Sequence, residues 1–269
     1  MPDGHELIIE PAQLLRGSSA LLFDCRFSLA DSAAGRAEYE AGHIPGAHYL
    51  HLEEDLSAPV GQHGGRHPLP DAASLVATLA RFGVDRDTEV VAYDASRFAF
   101  AARLWWLMRS LGYRPPRLLN GGLSAFVAAG GQLETTVPEA RPCAVPEPGT
   151  YRTVCDIDGL RQAQSAGAVL VDSREAARYQ GIEEPIDPVA GHIPGALNHP
   201  WQGVSTADGC LLDLDAQRAH WGDTLAADEL VVYCGSGVTA CVNLFSLALL
   251  GRGDATLYAG SWSDWCSWL

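Results

Sequence analysis

Apolar residues in this chain fall into short blocks separated by polar, glycine-rich or proline-rich stretches. Residues 20–24, 89–93 and 117–119 read as buried strands, and 168–172, 229–233 and 255–258 repeat them further along. Stretches 72–81, 98–111 and 240–250 carry helical spacing or small apolar residues, and read as helices between the strands. Nearly continuous apolar strands alternating with helices predict an α/β fold, a parallel-type sheet with helices on both faces. In such sheets ligands collect at the carboxyl ends of the strands. The residues ending strands there are Asp24, Asp94, Asp172 and Cys234.

The pattern occurs twice. The hexapeptide Gly-His-Ile-Pro-Gly-Ala stands at 42–47 and again at 191–196. Val91-Ala92-Tyr93-Asp94 matches Val231-Val232-Tyr233-Cys234, and Asn120–Phe126 echoes Ala259–Trp265. Matches in one order predict a duplicated domain of roughly 120 residues. The division expected is 1–133 for the first copy and 151–269 for the second. Residues 134–150, with Pro138, Pro142, Pro146 and Pro148, read as an extended linker. Asp94 stands where the second copy has Cys234, so the first copy is expected to be catalytically inactive and to wall the cleft.

Cys234-Gly235-Ser236-Gly237-Val238-Thr239 joins a strand to a helix. Two glycines let such a loop curl its N–H groups inward into an anion-binding nest. The next helix turns its positive end to the same place. Both effects stabilise a thiolate, so the Cys234 pKa is expected below the free value of about 8.5. The seven cysteines form no C-x-x-C pair, which suggests neither a disulfide framework nor a zinc site. No metal and no cofactor are expected. A formal net charge of −15 argues against nucleic acid and anionic membrane surfaces. It also means that an anionic substrate must be held by backbone dipoles and a few arginines. Met1–Glu6 lacks a signal-peptide pattern, and no apolar run is long enough to span a bilayer. A monomer in the reducing cytoplasm is the expectation.

Taken together, these features resemble the tandem-domain rhodanese and 3-mercaptopyruvate sulfurtransferase family. The resemblance rests on both Gly-His-Ile-Pro-Gly-Ala motifs, Tyr93-Asp94-Ala95-Ser96, Trp105-Trp106, the Cys234 loop followed by Ala240, and Gly260-Ser261-Trp262. It implies two tandem rhodanese-like domains with the catalytic cysteine in the second, and a ping-pong reaction through a persulfide on Cys234. It also implies a small anionic sulfur donor and a thiophilic acceptor such as cyanide, a thiol or a thioredoxin-like protein. The thiosulfate-preferring branch resembles C-R-K-G-V-T. Here Gly235 and Ser236 occupy the two cationic places, so the loop is similar to that of the mercaptopyruvate branch. By that resemblance Arg178 binds the donor carboxylate, and Ser236, His67 and Glu53 form a proton relay. Gly235, Gly237, Val238 and Thr239 would surround the donor. A second carboxylate-binding arginine of that branch has no match, since Ile186 falls near its place. Arg66 is the candidate to supply the missing cation, and both mercaptopyruvate and thiosulfate stay open as donors.

His43 and His192 recur in both copies, which points to a turn role, and Trp105 and Trp106 read as core. Two other classes are carried forward. A phosphatase or arsenate reductase on the same general fold needs an arginine six residues after the cysteine, where this chain has Ala240. A non-enzymatic sulfur-relay or binding module would use the same fold with an unreactive Cys234.

Overall fold

The computed structural model describes residues 7–269; the leader reading of Met1–Glu6 concerns residues outside that range. The chain folds as two compact units. Unit 1 comprises Met1–Ser57, Pro70–Arg152 and Ser205–Leu211, and unit 2 comprises Ala58–Leu69, Thr153–Val204 and Leu212–Leu269. Each unit therefore takes in one short segment from the other half of the sequence.

Unit 1 contains β1 (Ile8–Ile9), β2 (Leu21–Asp24), β3 (Ala47–Tyr49), β4 (Val90–Tyr93) and β5 (Arg117–Leu119), in spatial order β1-β5-β4-β2-β3. Unit 2 contains β6 (Val154–Cys155), β7 (Val169–Asp172), β8 (Leu197–Asn198), β9 (Leu230–Tyr233) and β10 (Thr256–Tyr258), in order β6-β10-β9-β7-β8. Every strand pairing is parallel. The predicted strands are the inner three of each sheet; the outer ones, mostly two residues long, are too short for a hydrophobic run to announce.

The helices of unit 1 are α1 (Pro11–Leu15), α2 (Ala34–Ala41), α3 (Ala72–Arg81), α4 (Ala101–Ser110) and α5 (Gly122–Ala128). Unit 2 has α6 (Ile157–Ser165), α7 (Ala176–Tyr179), α8 (Leu214–Trp221), α9 (Ala240–Leu249) and α10 (Ser261–Cys266). α3 forms where its sequence says it should. Asp71 caps it by accepting from the Ser74 amide at 3.1 Å, and Leu75, Val76 and Leu79 line its buried face. α4 differs from expectation, beginning at Ala101 rather than residue 98. Arg97 and Phe98 have φ of 57° and 70°, a left-handed turn that a helix cannot include. The turn wraps the chain around the Asp94 carboxylate, as described below. Trp105 and Trp106 are fully buried.

The proline-rich stretch runs along unit 1 without forming a helix. Glu134 forms a β-bridge with His43, the Cys143 amide donates to the Ala80 carbonyl, and Arg86 donates to the Glu147 carbonyl.

One buried clamp occurs in both units. In unit 1 Arg26 grips Asp24 at 2.6 Å and donates to the carbonyl of Gly42 at 2.8 Å. In unit 2 Arg174 grips Asp172 at 2.7 Å and donates to the carbonyl of Gly191 at 2.6 Å. The clamp ties the end of a central strand to the repeated hexapeptide. Within that hexapeptide the Ile44 and Ile193 amides donate to the hydroxyls of Tyr93 and Tyr233, both at 3.1 Å. His43 and His192 stack on Tyr39 and Tyr179 and bond the carbonyls of those tyrosines. The two histidines are turn braces, in keeping with their recurrence in the copy that lacks a cysteine.

In unit 2, His199 bonds Thr224 at 3.0 Å and its ring lies 5.3 Å from that of His220, whose Nε2 has no hydrogen-bond partner. Burial holds both imidazoles below the ordinary histidine pKa, and the proximity of His220 lowers His199 further. The unfolded chain then takes up these protons at higher pH than the folded one. Their contribution to stability is intact above about pH 6.5, the unfolded value, and is lost as pH falls below it. We therefore expect the melting temperature to decline from about pH 6.5 downward, and His220→Gln to flatten that decline. Melting curves of both proteins across pH check it.

Candidate active site

Cys234 follows the last residue of β9, at the carboxyl end of the unit 2 sheet, and the loop from Gly235 to Thr239 leads into α9. The loop is held from below. The Cys234 amide donates to the Ser261 hydroxyl at 3.1 Å, and the Trp262 and Ser263 amides donate to the carbonyls of Cys234 and Gly235. Gly237 has φ 77°, and a Cβ there would stand 2.3 Å from the Ala259 carbonyl oxygen. Only glycine fits that turn. Among the described residues, the amides of Gly235, Ser236, Val238 and Thr239 donate to no protein acceptor. Cys234 at the head of this loop is 1 % exposed.

Unit 1 has the same construction with a different occupant. The Asp94 carboxylate accepts four amides, from Ser96 at 2.8 Å, Phe98 at 3.1 Å, and Phe100 and Ala101 at 2.9 Å each. Burial raises its pKa even so, against the pull of those amides. Here a side-chain anion fills the nest that its own loop creates.

Two residues from the first half of the sequence reach the Cys234 loop. They lie in Ala58–Leu69, which belongs to unit 2. The Ala58 amide closes this segment by donating to the Pro68 carbonyl at 3.0 Å. The Gly64 amide donates to Asp264 at 2.7 Å, and His63 bonds Ser267 at 2.8 Å while stacking on Trp268. Gly65, with φ 79°, packs so closely that a Cβ would lie 2.4 Å from the Gly260 carbonyl oxygen. The segment so anchored presents His67, whose Nδ1 lies 2.8 Å from Ser236 Oγ. Which of the two carries the proton depends on the tautomer. Glu53 sits in unit 1 on the turn after β3, exposed, its amide donating to His51 Nδ1 at 3.2 Å.

Arg66 and Arg178 both face the loop. A Cβ on Gly235 would stand 3.1 Å from Arg66 Nη2 and 3.4 Å from Arg178 Nη1. The structure thus brings together Cys234, Ser236, His67, Arg178 and Arg66. The 112 residues that separate Arg66 from Arg178 in sequence close up through tertiary packing alone. The chain has no lysine, so every permanently charged side-chain cation available to an anion is a guanidinium.

Sequence reasoning missed the carboxylates that hold these arginines. Arg178 Nη2 bonds Glu184 at 2.7 Å and Asp187 at 3.0 Å, Arg66 Nη1 bonds the other oxygen of Asp187, and Arg174 Nη1 bonds Glu184 at 3.1 Å. Burial pushes Glu184 up, but its bonds to Arg178 and to the Ile186 and Asp187 amides outweigh that and hold it below the ordinary carboxylate range. Asp187 goes the other way: burial and the neighbouring Glu184 raise it more than Arg66 and Arg178 lower it. The available signal was the string Glu183-Glu184-Pro185-Ile186-Asp187-Pro188, two prolines framing acids just before the second hexapeptide.

Burial raises Cys25, and pushes Cys155 to about 12 and Cys266 to about 11. Ala240, where an oxyanion-clamping arginine would be needed for phosphatase chemistry, is fully buried in the first turn of α9. Among the described residues no group of His, Cys, Asp or Glu could hold a metal, and no helix is long and apolar enough to cross a membrane.

Two copies of an open parallel sheet, one of them with a thiol on an amide-lined loop between strand and helix, define the class of protein. Comparison with known proteins makes it specific. The rhodanese-like domain model matches residues 10–129 and 156–267. A probable 3-mercaptopyruvate sulfurtransferase of Pseudomonas aeruginosa is 46% identical over 251 residues, covering 91% of this chain and 88% of the relative. A putative thiosulfate sulfurtransferase of Mycobacterium tuberculosis, SseB, is 41% identical over 255 residues, covering 93% of this chain and 89% of the relative. Among solved structures, 3-mercaptopyruvate sulfurtransferase from Leishmania major superposes with a TM-score of 0.88 at 29% identity, covering 98% of this chain and 75% of that one. SseA from Escherichia coli, described as a 3-mercaptopyruvate sulfotransferase, gives 0.78 at 29% identity, covering 96% and 99%. The chain belongs to the tandem rhodanese and 3-mercaptopyruvate sulfurtransferase family.

The glycine turn at the heart of the loop is testable without any substrate. Gly237→Ala should lower the unfolding free energy by roughly 1–3 kcal/mol, the usual cost of a non-glycine residue forced into a left-handed conformation. Denaturant titration measures it; an unchanged midpoint would show that the turn relaxes freely.

Proposed function

We propose that Cys234 carries the sulfur in this sulfurtransferase and that 3-mercaptopyruvate is the preferred donor. The protein takes sulfur from a donor and passes it to an acceptor; the choice of donor is argued from one observation. His67 Nδ1 and Ser236 Oγ are 2.8 Å apart, two residues beyond the thiol. A donor that is itself a thiol must release a proton, and its carbon leaving group must gain one. Thiosulfate leaves as sulfite and needs no proton moved. A hydroxyl–imidazole pair next to Cys234 supports the first chemistry.

The Cys234 thiolate attacks the donor sulfur, and an S–S bond forms. The C–S bond breaks, and its electron pair goes to carbon as the enolate of pyruvate. The donor's thiol proton passes through Ser236 and His67 to that carbon. Cys234 is left as a persulfide anion, and the organic product is pyruvate. Arg178 and Arg66 hold the donor carboxylate, a task for which planar guanidiniums are suited. The amides of Gly235, Ser236, Val238 and Thr239 cradle the outer sulfur, and Gly237 gives the loop its turn. A thiol, a thioredoxin-like protein or cyanide then attacks the outer sulfur and restores the thiolate.

Cys234→Ser should abolish transfer from either donor, and the native protein treated with 3-mercaptopyruvate should gain about 32 Da, one sulfur, by mass spectrometry. Turnover in the serine variant would remove the nucleophile. Absence of turnover in the native protein would favour a binding module instead.

Ser236→Ala should lower kcat/KM for 3-mercaptopyruvate at least tenfold, about 1.4 kcal/mol, while changing that for thiosulfate much less. Equal losses with both donors would mean that the pair moves no proton. Arg178→Ala should lower kcat/KM at least tenfold with either donor, checked in the same assays.

A further inference from the structure

We infer that Asp187 sets donor selectivity: it stands as a resident carboxylate on the two guanidiniums that face the thiol loop, so that a singly charged donor is accepted and a doubly charged one is held off. This rests on the proposed role of Arg66 and Arg178 as the donor's anchors.

Both guanidiniums are already engaged by carboxylates. Arg66 uses Nη1 for Asp187, and its Nη2 is the nitrogen nearest Gly235. Arg178 uses Nε for Glu184 and Nη2 for Glu184 and Asp187, and its Nη1 and Nη2 would stand 3.4 and 3.6 Å from a Cβ on Gly235. Asp187 therefore bridges the two arginines that face the loop. Its side chain is 2% exposed, so water screens it little.

The charges cancel locally. Arg66, Arg174 and Arg178 are joined in one network with Asp172, Glu184 and Asp187, three cations against three anions. An arriving donor meets guanidiniums whose charge is already balanced by carboxylates. Repulsion between Asp187 and the donor grows in proportion to the donor's charge. A monocarboxylate carries one unit, and thiosulfate carries two. Directional hydrogen bonds can offset the first more readily than the second. Selectivity of this kind is negative, built by placing a repulsive group against the unwanted ligand. It needs no cation in the Cys234 loop to be removed or added.

A purely structural part for Asp187, as a prop for the arginines, predicts something else. Losing a prop should harm both donors alike. Asp187→Asn separates the two cases, because it keeps the shape and one hydrogen-bond acceptor while removing the charge.

The experiment compares kcat/KM for thiosulfate and for 3-mercaptopyruvate, each with cyanide as acceptor, in native protein and in Asp187→Asn. The ratio of thiosulfate to 3-mercaptopyruvate should rise at least tenfold. A parallel fall or an unchanged ratio overturns the inference and leaves the proposed function standing. A calorimetric arm measures binding of the same two donors to Cys234→Ser with and without Asp187→Asn, and melting temperatures show that each variant is folded. Thiosulfate binding should tighten at least tenfold, with 3-mercaptopyruvate changing by less than about threefold. Equal changes overturn the inference. If native protein turned over neither donor, the proposed function would fall, and the binding arm would still decide the part played by Asp187.

Discussion

A buried carboxylate at the carboxyl end of a parallel strand has to be paired, and the pairing of Asp172 with Arg174 organises everything around the thiol. The pair spans 2.7 Å with both side chains out of water. A buried ion pair adds little net stability against an apolar alternative, yet breaking one half leaves an uncompensated charge at a cost of about 3–5 kcal/mol. Arg174 also reaches the Gly191 carbonyl and Glu184, so the strand end, the repeated hexapeptide and the acidic turn before it are fixed together. Glu184 passes the constraint to Arg178, and Asp187 passes it to Arg66. The guanidiniums beside Gly235 are the last members of a chain of charges that begins at the sheet.

The same clamp in unit 1, with Asp24, Arg26 and Gly42, extends to a looser ion pair between Arg26 and the exposed Glu38 at 3.9 Å. The units also differ at the loop after the central strand. In unit 1 the residue after the strand is Asp94, whose oxygens take four amides. In unit 2 it is Cys234, and the amides of Gly235, Ser236, Val238 and Thr239 in the loop that follows have no protein acceptor among the described residues. A carboxylate satisfies the loop's polarity permanently, whereas a thiol leaves that polarity available to a transient anion.

The inner strands, α3 and α9 were legible because burial on both faces writes a continuous apolar run and amphipathic spacing writes a helix. The start of α4 was not, because Arg97 and Phe98 adopt left-handed backbone only to let the chain close around Asp94. The outer strands lie below the length at which pattern carries information. The hexapeptides marked their own structural role by recurring. Cys234 was legible from its glycines and its place between strand and helix. His67 and Arg66 were legible only through family resemblance. Asp187 was not legible at all, because the missing arginine at Ile186 drew attention away from the acid beside it.

What the sequence determined by itself is local: which runs bury themselves, where glycine permits a turn, and that the unit occurs twice with a thiol in one copy. Those properties depend on neighbours within a few residues. The tertiary structure alone decided that Ala58–Leu69 packs with the second half of the chain, and so that Arg66 and His67 meet Arg178 and Ser236. It alone decided that Asp187 neutralises both arginines. Charges separated by more than a hundred residues interact according to their distance in space, and that distance is set by packing that no stretch of the sequence contains on its own.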